Sequence, residues 1–111
     1  CVSETVTELS EFPEDRSAQV LALMRHAQTQ TTPLMVLGNL NGEPGEEEMV
    51  PIEEALTNAA GPDPHPSYPA EDPIRAVDHI YISKELKVQT PAMPLPLLGS
   101  NHLPVMTKLS I

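Results

Sequence analysis

The apolar positions of this chain change period several times along its length. From Val2 to Leu9 (VSETVTEL) apolar and polar residues alternate imperfectly, and the β-branched content predicts a first strand. Pro13, Glu14 and Asp15 then supply helix-start chemistry. Val20, Leu23, Met24 and Ala27 recur at i, i+3, i+4 and i+7, which predicts an amphipathic helix to about Gln28. His26 falls on its flank, where a solvent-facing residue is the simplest reading. After the polar breaker Gln28 to Pro33, the unbroken run Leu34, Met35, Val36, Leu37 predicts a strand buried on both faces. Gly38 to Gly45 reads as a loop. Met49 to Asn58 reads as a short helix, with Pro51 in its first turn and Ile52, Ala55 and Leu56 facing inward, stopping at Gly61. The stretch GPDPHPSYPAEDP, Gly61 to Pro73, is too rich in proline for a helix or central strand and predicts an ordered surface loop or linker. Val77 to Ile82 alternates as a strand, with Lys84 to Thr90 as its neighbour until Pro91 to Pro96 breaks it. Leu103 to Ile111 closes the chain as a strand with Val105, Thr107, Leu109 and Ile111 on one side. Strand, helix, buried strand is a layered α/β pattern.

Composition narrows what such a fold can do. The 111 residues leave room for one core, and with only Phe12, Tyr68 and Tyr81 as aromatics that core is aliphatic. Sixteen acidic residues against six basic give a net charge of −10, which opposes non-specific attraction to nucleic acid or an anionic membrane. The acids cluster at Glu43 to Glu54 without EF-hand spacing and read as a solvated face. A single cysteine, Cys1, excludes an internal disulfide framework, and no apolar run is long enough to span a bilayer, so a soluble chain is expected. A start at Cys1 with neither methionine nor a signal sequence predicts that the numbering begins inside a longer product or after processing.

Candidate chemistry lies at strand ends: Asn39 and Asn41 after the buried strand, Asp78 within the next, and Asn101 with His102 before the last. In an α/β sandwich such positions converge at one sheet edge, where ligand sites form. Taken alone, asparagines after strands are usually turn chemistry, and a lone Asp or His near a strand is more often a satisfied structural residue.

Four stretches together carry a resemblance. LGNLNGEPG resembles the GDxN loop of the endonuclease/exonuclease/phosphatase superfamily, AVDHIYISKEL its xIDYIFVSxxL strand, and GSNHLPVMTKLSI its closing SDHxPVxxxL motif. Upstream, TVTELSEFPEDRSAQVLALM is similar to its NTHL strand and the following helix with R-x-x-Q, here Arg16 and Gln19. They arrive in the family's order and cover nearly the whole chain. The resemblance implies an α/β fold, half of a two-layer β-sandwich flanked by helices (DNase I-like), with a mixed sheet and two main helices. Residues 1–111 would be the carboxy-terminal half of the domain. The partner it implies is the amino-terminal half or a companion chain, and an isolated half should self-associate through its uncovered sheet face.

The activity implied is metal-dependent hydrolysis of a phosphoester, as in nucleases, sphingomyelinases or phosphatases, with Mg2+ or Mn2+ as cofactor. Asn41 matches the asparagine that orients the phosphate or water, Asp78 the aspartate that orients a histidine, and His102 that histidine. Three positions depart from the pattern. Asn39 replaces the loop aspartate taken as catalytic base, Asn101 the metal-associated aspartate, and Glu8 the histidine of THL at the substrate phosphate. An amide neither accepts a proton at neutral pH nor contributes charge to a cation, so very low activity and weak metal binding at Asn39 and Asn101 are expected. The competing expectation is a pseudoenzyme or binding module that recognises a protein or phosphorylated ligand. His65 and Tyr68 in the proline-rich loop are the candidate specificity contacts, and the charge balance favours a small phosphoester over nucleic acid.

Overall fold

A computed structural model of the chain describes residues 3–61, 64–96 and 99–110. Val2 and Ile111, assigned above to the first and last strands, lie outside them. The order is β1 (Ser3–Glu8), α1 (Pro13–Gln28), β2 (Leu34–Asn39), a 3-10 turn (Glu47–Met49), α2 (Val50–Ala55), β3 (Thr57–Asn58), β4 (Asp78–Ile82), β5 (Lys87–Pro94) and β6 (Val105–Ser110). A four-stranded mixed sheet has the order β1-β2-β4-β3, with β1 parallel to β2 and both other pairs antiparallel. β5 and β6 form a separate antiparallel pair.

α1 starts where proline can occupy the first turn and carries Glu14 and Asp15 there, with Arg25 and His26 in the last turn, each charge complementing the helix dipole. Its buried stripe is Arg16, Val20 and Met24, and His26 is exposed as expected. This stripe packs on one face of the sheet. Val20, Met24, Leu34, Val36, Leu40, Met49, Ile52 and Tyr81 form the core there.

The opposite sheet face is different, and corrects the expectation that β2 is buried on both sides. Successive side chains alternate between faces, so Met35 and Leu37 share the second face with Val6 and Ile80. Met35, Leu37 and Ile80 are only half-buried there, and Val6 is 69% exposed. Helices cover the first face; on the second, Ile82 opposite Met35 is buried, and Leu103, Pro104 and Val105 at the start of β6 meet Leu37 and Ile80 around a cavity of about 220 Å3.

Four other expectations change. The helix expected over Met49 to Asn58 ends at Ala55, because Leu56 is extended (φ −127, ψ 164) and β-branched Thr57 pairs with Ile82 on the sheet edge. The segment after β4 does not return as its neighbour: Leu86 N–H closes a turn on the Ser83 carbonyl, and β5 pairs with β6 instead. Pro91 and Pro94 do not break β5, since it tolerates them with register shifts between Val88 and Thr90 and between Thr90 and Met93. The acidic stretch is not simply a solvated face either. Glu46 and Glu48 both bond the Arg16 guanidinium.

Candidate functional site

Register places three polar side chains in one row. Glu8 on β1 pairs with Asn39 on β2, which pairs with Asp78 on β4, so all three project from the same face at the same sheet edge. Asn39 and Asp78 border the 220 Å3 cavity; Glu8 is exposed beside them.

The loop leaving β2 is held at every step. Asn39 Oδ1 accepts the Asn41 backbone N–H at 3.0 Å, an Asx turn. Asn41 sits at φ +54, a left-handed conformation asparagine tolerates, and its Nδ2 donates to the Leu9 carbonyl. Arg75 donates to the Asn41 carbonyl at 3.1 Å, and His79 Nε2 donates to the Gly42 carbonyl at 2.8 Å. Two glycines let the chain through: a Cβ at Gly38 would lie 1.9 Å from the Thr7 carbonyl oxygen, and one at Gly42 would lie 2.4 Å from the Met49 sulfur.

Burial dominates the electrostatics of His79. It lowers the imidazole's pKa below its ordinary 6.5, against the opposing pull of the Gly42 carbonyl and the Asp78 charge. A histidine buried neutral contributes stability that is complete above the unfolded-state value of 6.5 and is lost as pH falls below it, because the unfolded chain then binds the extra proton. The unfolding free energy of the full-length protein should therefore fall as pH drops below about 6.5, and His79→Gln, which can still donate to Gly42, should flatten that slope. An unchanged slope in urea titrations would assign the acid sensitivity elsewhere.

The Asp78 and His102 side chains, 24 residues apart, meet directly: His102 Nδ1 lies 2.7 Å from Asp78 Oδ2. Ser67 Oγ donates to the same oxygen at 2.8 Å, and the Tyr68 ring lies over the imidazole with centroids 4.4 Å apart. Backbone bonds stitch the two loops: the Leu103 N–H donates to the Ser67 carbonyl and the Ala70 N–H to the Asn101 carbonyl, both at 2.8 Å. The pair is half-buried, with 24% of the His102 and 18% of the Asp78 side chain exposed.

The candidates thus divide. Glu8, Asn39, Asp78 and His102 share one edge, Asn41 anchors the loop beside them, and Tyr68 stacks on His102. Asn101 lines a different cavity, of about 620 Å3, with Pro69, Ala70, Glu71, Gly99 and Ser100. His65 is exposed two residues ahead of Ser67 and takes no part in the hydrogen bonds of the pair. Sequence reading missed Ser67, Arg75 and His79. Only Ser67 carried a signal, as the neighbour of Tyr68 in a loop already marked as functional.

Among the described residues no group of three or more His, Cys, Asp or Glu side chains is placed to hold a metal ion. Asn39 and Asn101 present neutral oxygens, and Asp78 Oδ2 already serves two donors. A Mg2+ site needs carboxylate charge, so these residues do not by themselves fit one. Among the described residues no helix is long and apolar enough to cross a membrane.

No protein-family model matches the sequence, and no curated protein matches it by sequence alone. Solved structures do match. The catalytic domain of human Nocturnin, with a bound sulfate anion, is 26% identical with a TM-score of 0.71 over 95% of this chain and 45% of that one. A mannosyl-6-phosphatase of Bacteroides thetaiotaomicron is 12% identical with a TM-score of 0.76 over 96% of this chain and 50% of its own. An endonuclease/exonuclease/phosphatase family protein of the same bacterium is 13% identical, with a TM-score of 0.73 over 94% of this chain and 48% of its own. The chain therefore spans about half the length of the structures it matches. The fold of this chain is therefore the endonuclease/exonuclease/phosphatase, DNase I-like fold, over about half the length of those structures.

Proposed function

We propose that this chain is the carboxy-terminal half of a phosphoester-hydrolase domain and supplies the Asp78–His102 pair and the Asn39–Asn41 loop to a site completed by another segment or chain. The observation that carries this is the direct Asp78–His102 contact at the sheet edge where β2 delivers its asparagines. Asp78 binds the Nδ1 side of the imidazole, which fixes the tautomer and turns Nε2 away from Asp78. With Nδ1–H given to Asp78, Nε2 faces away from it and, in the imidazolium form, its second N–H stabilises a phosphoryl oxygen, while Asn41, braced by Leu9, orients the phosphate. The sulfate bound to Nocturnin and the phosphatase among the neighbours support an oxyanion as the ligand of this fold. The apolar face of Val6, Met35, Leu37 and Ile80 is the docking surface for the completing half, which would also bring the carboxylates a divalent ion needs. The net charge of −10 favours a small phosphoester over nucleic acid.

The second reading, recognition without turnover, is favoured by one observation. Asn39 Oδ1 is committed to its Asx turn, and an amide offers no base. Inorganic phosphate titrated into the full-length protein separates these readings. Both require phosphate to shift the NMR signals of His102 and the Asn41 side-chain amide, and silence at both positions would sink them together. Magnesium-dependent release of p-nitrophenol from its phosphate esters, lost in His102→Gln, supports hydrolysis; binding with no release supports recognition.

A further inference from the structure

Ser67 bonds Asp78 directly and the residue that follows His102. Its hydroxyl donates to Asp78 Oδ2 at 2.8 Å and accepts the Asp78 backbone N–H at 3.3 Å. Its carbonyl takes the Leu103 N–H, one residue after His102, and its own N–H bonds the Arg75 carbonyl. It is fully buried at 0% exposure, so it cannot meet a substrate as a nucleophile. With His102 as its only donor, the Asp78 carboxylate could pivot about its two side-chain torsions. A second donor on the same oxygen, fixed by the Asp78 main chain, removes that freedom. Charge-assisted bonds of this kind are the strong ones, and both here converge on one atom.

We propose that Ser67 is a positioning residue that sets the orientation of the Asp78 carboxylate and, through it, the tautomer of His102. Ser67, Asp78 and His102 act as one unit, with Tyr68 stacked over the imidazole as its lid. This rests on the phosphoester reading for its purpose, though not for its geometry. In this arrangement the serine is at the far end from the substrate: it steadies the acid, and the acid steadies the histidine. That order differs from a nucleophilic serine site, where the hydroxyl bonds the imidazole itself.

The test uses the full-length protein labelled with 15N, comparing Ser67→Ala, Ser67→Thr and the parent. The imidazole 15N shifts of His102 report which ring nitrogen carries the proton. The parent should show the Nδ1–H form. Ser67→Ala should move His102 towards a mixture with the Nε2–H form and broaden its Nδ1 proton signal, while Ser67→Thr, which keeps a hydroxyl, restores the parent pattern. Phosphate affinity should fall about tenfold in Ser67→Ala, the scale of one hydrogen bond to a charged group. The backbone amide signals of Val36 and Tyr81, on the other sheet face, serve as the folding control. An unchanged tautomer in a folded Ser67→Ala overturns the proposal, as does the same loss in both variants. A parent that binds no phosphate yet shows the Ser67-dependent tautomer would overturn the phosphoester reading and leave the positioning role standing.

Discussion

Asn39→Asp combined with Asn101→Asp should raise magnesium-dependent hydrolysis of p-nitrophenyl phosphate esters by the full-length protein by about 10² to 10⁴, the usual contribution of a general base. The structure makes the first substitution easy to accommodate. Asn39 accepts the Asn41 N–H through Oδ1, and a carboxylate accepts the same bond without moving the loop. Its position in the row has a further consequence. Between Glu8 and Asp78, a third carboxylate would face like charges on strands about 4.8 Å away on either side. Without a cation, Asn39→Asp should therefore destabilise the protein, and adding magnesium should recover that stability. Adding Glu8→His to the pair of substitutions relieves the repulsion on the β1 side, so the triple variant should need less magnesium for the same rate. The readout is the initial rate of p-nitrophenol release against magnesium concentration, with thermal melts alongside. No gain in rate from the triple variant would remove hydrolysis from the proposal and leave ligand recognition.

What the sequence disclosed, and what it hid, follows from the range of the forces involved. α1 was readable because its start is a local proline with acidic followers and its buried stripe repeats within the helix. β2 and β4 were readable from local apolar content, although their burial was not: whether Met35 and Leu37 are covered depends on what packs against the second face, which no local pattern reports. β3 was hidden because two residues pairing with Ile82 and Tyr81 outweigh the helical tendency of the segment before them. The second half of β5 was hidden because proline argues against a strand unless the strand is bulged at an edge. The Asp78–His102 pair was legible through the family resemblance alone, since nothing in the spacing of 24 residues announces a contact. Arg16 could have been found. It continues the stripe of Val20 and Met24 at the same interval, and a charge in an apolar stripe needs a buried partner, which the acidic run downstream supplies.

Arg16→Met should cost about 3 kcal/mol of stability, the lower end of the range for breaking a buried ion pair. The guanidinium is 3% exposed and serves four acceptors: Glu46, Glu48 and the carbonyls of Ser10 and Glu11. Removing it strands the Glu48 carboxylate, only 12% exposed, and leaves two carbonyls short of a donor. The loss stays at the lower end because Glu46, at 34%, can turn to water. Arg25→Met, on the exposed flank of the same helix, should change stability by less than about 0.5 kcal/mol and so controls for helix propensity. Acid supplies an independent readout. The Glu48 carboxyl is held down to about 2 by the side-chain bond with Glu46, by its own backbone N–H and then by Arg16. Its contribution to stability is therefore complete above the ordinary value of 4.5 and is lost as pH falls towards 2. Because the Glu46 and backbone bonds are the larger causes, Arg16→Met should shorten this acid limb without abolishing it. Urea unfolding of the full-length protein at pH 7 and at pH 3 measures both effects. The same arginine closes the β1–α1 turn, whose Leu9 carbonyl holds the Asn41 amide, so the variant should also broaden the Asn41 side-chain signal. A stability loss equal to that of Arg25→Met, with the Asn41 signal unchanged, would show that the acidic loop holds itself.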